Sequence, residues 1–83
     1  MALTVSYFAW VRERMGVADE VIDPPAEVTT IAELVGWLAG RDERGALAFA
    51  EPGRIRAAVD GAMVGPDAAI GPDVALFPPV TGG

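Results

Sequence analysis

The chain has no cysteine, no histidine and no lysine. Without cysteine there is no disulfide frame and no thiolate, an absence that leaves the redox compartment undecided. Without cysteine or histidine, the usual zinc ligands, imidazole bases and Cys-His nucleophiles are excluded, and no metal site is expected. No apolar run approaches the ~18 residues that a membrane span requires. The uncharged opening MALTVSYFAWV has no basic leader, and Arg12, Glu13 and Arg14 follow it directly, so a signal peptide is not expected. Neither G-x-G-x-x-G nor G-x-x-x-x-G-K-[ST] occurs, so nothing cradles a nucleotide. The adjacent acids Asp19-Glu20 and Asp42-Glu43 read as solvated surface. No active site of the ordinary kind is visible, and a soluble cytoplasmic protein is expected.

What is present defines one small domain. At 83 residues the chain buries ~60–65% of its unfolded surface in a single core. With 52% hydrophobic and 22% charged residues it is too apolar to stay disordered. All six basic residues are arginines, set against twelve acids for a formal net charge of −6. A surface of that sign repels nucleic acid and anionic membranes, so the expected partners are proteins with basic pockets.

The order of elements is α+β. Leu3 to Ala9 alternates as a first strand, and Trp10 to Met15 reads as a short helix stopped by Gly16. Ala18 to Ile22 is a second strand, closed by Asp23 and Pro24-Pro25. Thr30 and Glu33 form a T-x-x-E capping box, and Ile31, Leu34, Val35 and Leu38 then make one apolar stripe of a main helix. Arg41 to Gly53 is a connector with a single helical turn at Ala46 to Ala50. Asp60-Gly61 supplies a type I′ turn that sets Val59 against Ala62, Ala58 against Met63 and Ala57 against Val64. The two GPD triplets are turns, and Val74 to Phe77 is the last strand before Pro78. Four or five strands against one main helix predict a helix on one face of the sheet.

Alternation then separates the two faces of that sheet. If Leu3, Val5, Tyr7, Ala57, Val59, Val74 and Leu76 face the core, Phe8, Met63 and Phe77 point outward. They form an exposed protein-binding patch, or loops and the 41–53 connector cover them, or a bulge reverses one strand.

The chain ends in FPPVTGG. Pro78-Pro79 stiffens the exit and removes two ladder donors, and six residues beyond Phe77 reach about 20 Å. Gly82 and Gly83 carry no side chain, so a narrow tunnel can close on bare backbone and reach the Gly83 carboxylate. The organisation expected is a domain over 1–77 with an extended tail over 78–83.

VALFPPVTGG, together with FAWVRE near the start, resembles the ubiquitin-like sulfur carriers of the β-grasp fold, the small subunits of molybdopterin synthase in particular. The resemblance implies a mixed four- to five-stranded sheet packed on one main helix. It further implies that an E1-like partner spends ATP to adenylate Gly83, after which a persulfide donor leaves a thiocarboxylate. Val80, Thr81 and Gly82, with Pro78 and Pro79, would lie in the partner's tunnel, and Phe8, Met63 and Phe77 would form the interface. The acceptor implied is cyclic pyranopterin monophosphate, held by the large subunit in a heterotetramer of two large and two small subunits. No cofactor is bound by the carrier itself, which would be a sulfur-carrying subunit rather than a catalyst. A chain without lysine or cysteine cannot acylate its own side chains, although a codon bias toward arginine, alanine, glycine and proline explains the same absence. Two alternatives stand beside this reading: a carrier serving thiamine, cysteine or transfer-RNA thiolation, and a non-catalytic β-grasp interaction domain.

Overall fold

Thr30 starts the main helix as the capping box requires. Its hydroxyl accepts the Glu33 amide at 3.2 Å, and the Glu33 carboxylate accepts the amides of Thr29 and Thr30, each at 3.0 Å. The computed structural model describes residues 2–79, and its elements follow the expected order. They are β1 (Leu3–Tyr7), α1 (Ala9–Met15), β2 (Asp19–Ile22), α2 (Ile31–Arg41), α3 (Glu43–Ala48), a 3₁₀ turn at Pro52–Arg54, β3 (Arg56–Val59), β4 (Ala62–Val64) and β5 (Asp73–Phe77).

The five strands form one mixed sheet in the order β2-β1-β5-β3-β4. β1 and β5 run parallel, while the other three pairs are antiparallel. One face of the sheet carries Leu3, Val5, Tyr7, Ile22, Ala57, Val74 and Leu76, all buried. Ile31, Leu34, Val35 and Leu38 of α2 pack onto it, each worth ~1.5–3 kcal/mol of transfer free energy. This is the β-grasp architecture. Asp60 (φ 50) and Gly61 (φ 86) take the two positive-φ positions of the expected hairpin turn, and the pairs 57–64, 58–63 and 59–62 form as read.

The connector is more ordered than its composition suggests. Where a single turn at Ala46 to Ala50 was expected, α3 spans six residues and starts at Asp42, whose carboxylate accepts the Gly45 amide at 2.8 Å. A side chain at Gly45 would collide with the Leu38 carbonyl, so α2 and α3 meet at a corner that only glycine permits. The connector also delivers Phe49 to the core, where its ring lies 6.4 Å from that of Tyr7.

The two acidic pairs are not simply solvated surface. Asp42 caps α3, and Glu20 joins β2 to the end of α2. Arg41 donates to both oxygens of Glu20, at 3.0 and 2.8 Å, and the Tyr7 hydroxyl donates to Oε2 at 2.7 Å. The Arg41 guanidinium also lies 5.6 Å from the Trp37 ring. The Arg41 hydrogen bonds, foremost, and that of Tyr7 hold the Glu20 carboxyl below its ordinary value of 4.5. Burial, followed by the bond to Glu20, pushes the Tyr7 phenol upward. Because Glu20 is depressed in the folded state, its contribution is complete above about pH 4.5 and is lost as pH falls through the depressed value. Thermal melts from pH 7 to 3 should therefore show a shallower acid limb for Glu20→Gln than for the wild type, and a lower melting temperature at pH 7. Parallel acid limbs would contradict this linkage.

Candidate functional site

The open face of the sheet is set by register. Ser6 lies beside Ala75, Ala75 beside Ala58 and Ala58 beside Met63, making one row of small side chains that ends in methionine. Along β5, Val74 and Leu76 are buried while Ala75 and Phe77 are half-buried, as alternation requires. Phe77 pairs with Arg56 across β3, and the Phe8 amide donates to the Leu76 carbonyl at 3.2 Å. Phe8 and Phe77 thus stand together where β1 and β5 end.

The three expected patch residues all lie on this face. Phe8 is 49% exposed, Met63 is 67% exposed, and Phe77 is partly covered. They do not form one tight cluster. Met63 is two strands from Phe77, on the order of 10 Å across the sheet, with Ala58 and Arg56 between them. The surface is a shallow platform of Ser6, Ala75 and Ala58, rimmed by three large apolar side chains. The 43–48 helix is not what covers it, because α3 packs against α1 and α2.

Pro78 and Pro79 follow β5 as half-buried coil and leave the sheet beside Phe8 and Arg56. Val80, Thr81, Gly82 and Gly83 lie outside the described residues. Ala9, at φ 52, turns the chain from β1 into α1, a conformation that costs an alanine about 1 kcal/mol. That turn carries Trp10 onto α1 beside the tail root.

Two features of this end were not anticipated. Arg14 lies 4.4 Å from the centre of the Trp10 ring, a neighbour one helical turn away whose i, i+4 spacing was visible in the sequence. Arg54 lies 5.9 Å from the same ring, a contact made across the fold with no local signal. Elsewhere, an apolar groove of about 420 Å³ between α2 and β3–β4 is lined by Ile31, Val35, Ile55 and Val64 among others. Among the described residues its one charged wall is Arg56, which alone supplies no acid–base pair.

The profile of the ThiS family matches residues 5–83. Among solved structures, a Pyrococcus furiosus protein named provisionally as molybdopterin converting factor subunit 1 superposes with a TM-score of 0.73 at 28% identity. That match covers 96% of this chain and 99% of its own. SAMP1 from Haloferax volcanii matches at a TM-score of 0.71 and 21% identity over the whole of both chains. A crystal structure of H. volcanii small archaeal modifier protein 1 matches at 0.68 and 22%, covering 95% of this chain and 98% of its own. At those identities the two Haloferax structures bear on the fold alone. No curated protein matches the chain.

The platform should be separable from stability. Met63→Glu should change unfolding free energy by no more than about 0.5 kcal/mol, whereas Leu76→Ala on the inner face should cost ~2–5 kcal/mol. Urea titrations of both variants test this, and a large loss for Met63→Glu would mean that its side chain packs into the fold.

Proposed function

The chain belongs to the ThiS family of ubiquitin-like sulfur carriers, and from that premise we propose that it is the sulfur-carrying small subunit of molybdopterin synthase. The observation that carries the pathway is the full-length likeness, at 28% identity, to the provisionally named molybdopterin converting factor subunit. The PPVTGG motif at residues 78–83 supports the same reading.

In this reading the Gly83 carboxylate attacks the α-phosphate of ATP on an E1-like partner, and pyrophosphate leaves. The terminal sulfur of a persulfide then displaces AMP from the acyl carbon, and a thiol cleaves the sulfur–sulfur bond to free the thiocarboxylate. The charged tail enters the large subunit, where its sulfur passes to cyclic pyranopterin monophosphate. The pairing of two large with two small subunits belongs to the same proposal.

Each part of the chain has a distinct task here. Gly82 and Gly83 let a tunnel close on backbone, Pro78 and Pro79 stiffen the exit from the sheet, and the Phe8, Met63 and Phe77 rim docks the partner. With no lysine or cysteine in the chain, the activated acyl group meets neither of the nucleophiles that would crosslink it to its own domain. Proton transfers at the acceptor fall to the partner's residues.

The acceptor is the point at which carriers of one family diverge. A chain charged in the same way could instead deliver sulfur to thiamine, cysteine or transfer-RNA synthesis. Intact mass after incubation with an E1-like enzyme, ATP and a persulfide donor should rise by about 16 Da, one oxygen replaced by sulfur. The charged chain should then convert cyclic pyranopterin monophosphate with the large subunit. No mass gain under conditions that charge a known carrier would overturn the carrier reading, and charging without conversion would overturn the pathway.

A further inference from the structure

The net charge of −6 is unevenly distributed. The sheet register runs Asp73 and Asp60 to one end, where the Asp60 amide donates to the Asp73 carbonyl at 2.9 Å. At the other end, where β5 gives way to Pro78, Arg56 stands opposite Phe77, and Arg14 and Arg54 meet over the Trp10 ring. Asp19 and Glu20 lie toward the same end, paired with Ser6 and Val5, and Glu20 is taken up by Arg41. An acidic chain thus carries an arginine cluster, its basic pole, beside the root of the tail.

The arginines at this pole are held rather than loosely arrayed. Arg14 and Arg54 share the Trp10 ring, so their guanidinium carbons can be no further apart than the sum of 4.4 and 5.9 Å. Arg56 is fixed by bonds from one nitrogen to the carbonyls of Gly53 and Ile55, at 2.9 and 3.3 Å. Among the described residues, the acid paired with this group is Glu51, 3.8 Å from Arg54, with both side chains more than 60% exposed. So exposed a pair adds little to stability, and Glu51 offsets one of the three arginine charges. Bringing like charges onto one indole costs free energy in the free domain. That cost is offset when an opposite charge arrives.

We propose that Arg14 and Arg54, stacked on Trp10, together with Arg56 form an electropositive collar at the tail root that receives an acidic rim of the E1-like adenylating partner. The occupant is a local protein carboxylate surface, since an extended nucleic-acid polyanion would also meet the acidic remainder of the chain, which a local rim does not. The collar adds orientation to the apolar platform. Phe77 belongs to the platform and Arg56, its cross-strand partner, to the collar, so a partner seated on one reaches the other. An acidic rim would rotate the domain until the basic pole, and with it the tail, faces the tunnel mouth. This inference rests on the sulfur-carrier reading and names the charge of the partner surface, which the net charge of the chain gives with the wrong sign.

The test is stopped-flow association of the full chain with the E1-like adenylating enzyme at low and high salt. For the wild type, the association rate should fall about tenfold or more between ~20 and ~300 mM salt, as steering by opposite charges requires. Arg14→Gln with Arg54→Gln should associate several-fold more slowly at low salt and lose most of that salt dependence, while Arg14→Lys with Arg54→Lys should retain it. Circular dichroism melts confirm that each variant is folded. A glutamine variant that associates as fast as the wild type, or faster, overturns the collar. The gain of about 16 Da by the wild type is read in parallel. A wild type that charges beside an unaffected variant removes the collar alone, and a wild type that neither associates nor charges removes the carrier reading itself.

Discussion

The parallel pairing of β1 with β5 is the constraint on which the rest depends. It begins where the Thr4 amide donates to the Pro72 carbonyl at 2.9 Å and ends where the Phe8 amide donates to the Leu76 carbonyl at 3.2 Å. Nearly the whole chain must be gathered before those bonds can form, so they carry a large loop-closure cost, repaid by burying Val5, Tyr7, Val74 and Leu76 beneath α2. Because the pairing is parallel, the last residues of both strands lie at the same end of the sheet. Phe8, the start of α1 and the root of the tail are neighbours for that reason. The root of the tail at Pro78 then stands beside the open sheet face and an arginine cluster, although no segment of sequence holds all three.

Local rules made much of this legible. The Thr30–Glu33 box, the i, i+3, i+4, i+7 stripe of α2 and the Asp60-Gly61 turn each act over a few residues, and each formed as the residue types require. Alternation separated the two faces correctly because no bulge interrupts β1, β3 or β5. Other features come from long-range pairing and leave little trace in the sequence. Glu20 looked like surface because its partner Arg41 is 21 residues away. α3 looked like connector because six residues with a central glycine are a weak helix signal, and its order depends on Asp42 and on the close approach of Gly45 to Leu38. Arg54 reaches Trp10 only after the sheet has formed.

Net charge weights every residue equally, whereas the fold sets Asp60 and Asp73 at one end of the sheet and Arg56 at the other. The same separation of tasks runs through the molecule. The inner face of the sheet holds the fold, the outer face offers a shallow apolar platform, and the activated group in the proposed chemistry lies beyond both. In the proposed chemistry, nothing in the core has to move for the tail to react.

The central claim is that the tail contributes chemistry and the domain contributes stability, each independently of the other. One residue added after Gly83 separates them in a single comparison, with thermal melts and sulfur transfer measured on the same preparation. The account predicts an unchanged melting temperature and loss of sulfur transfer, because the carboxylate is displaced from its reacting position while the core is untouched. A variant that still transfers sulfur, or that loses activity only in proportion to lost folding, would contradict it.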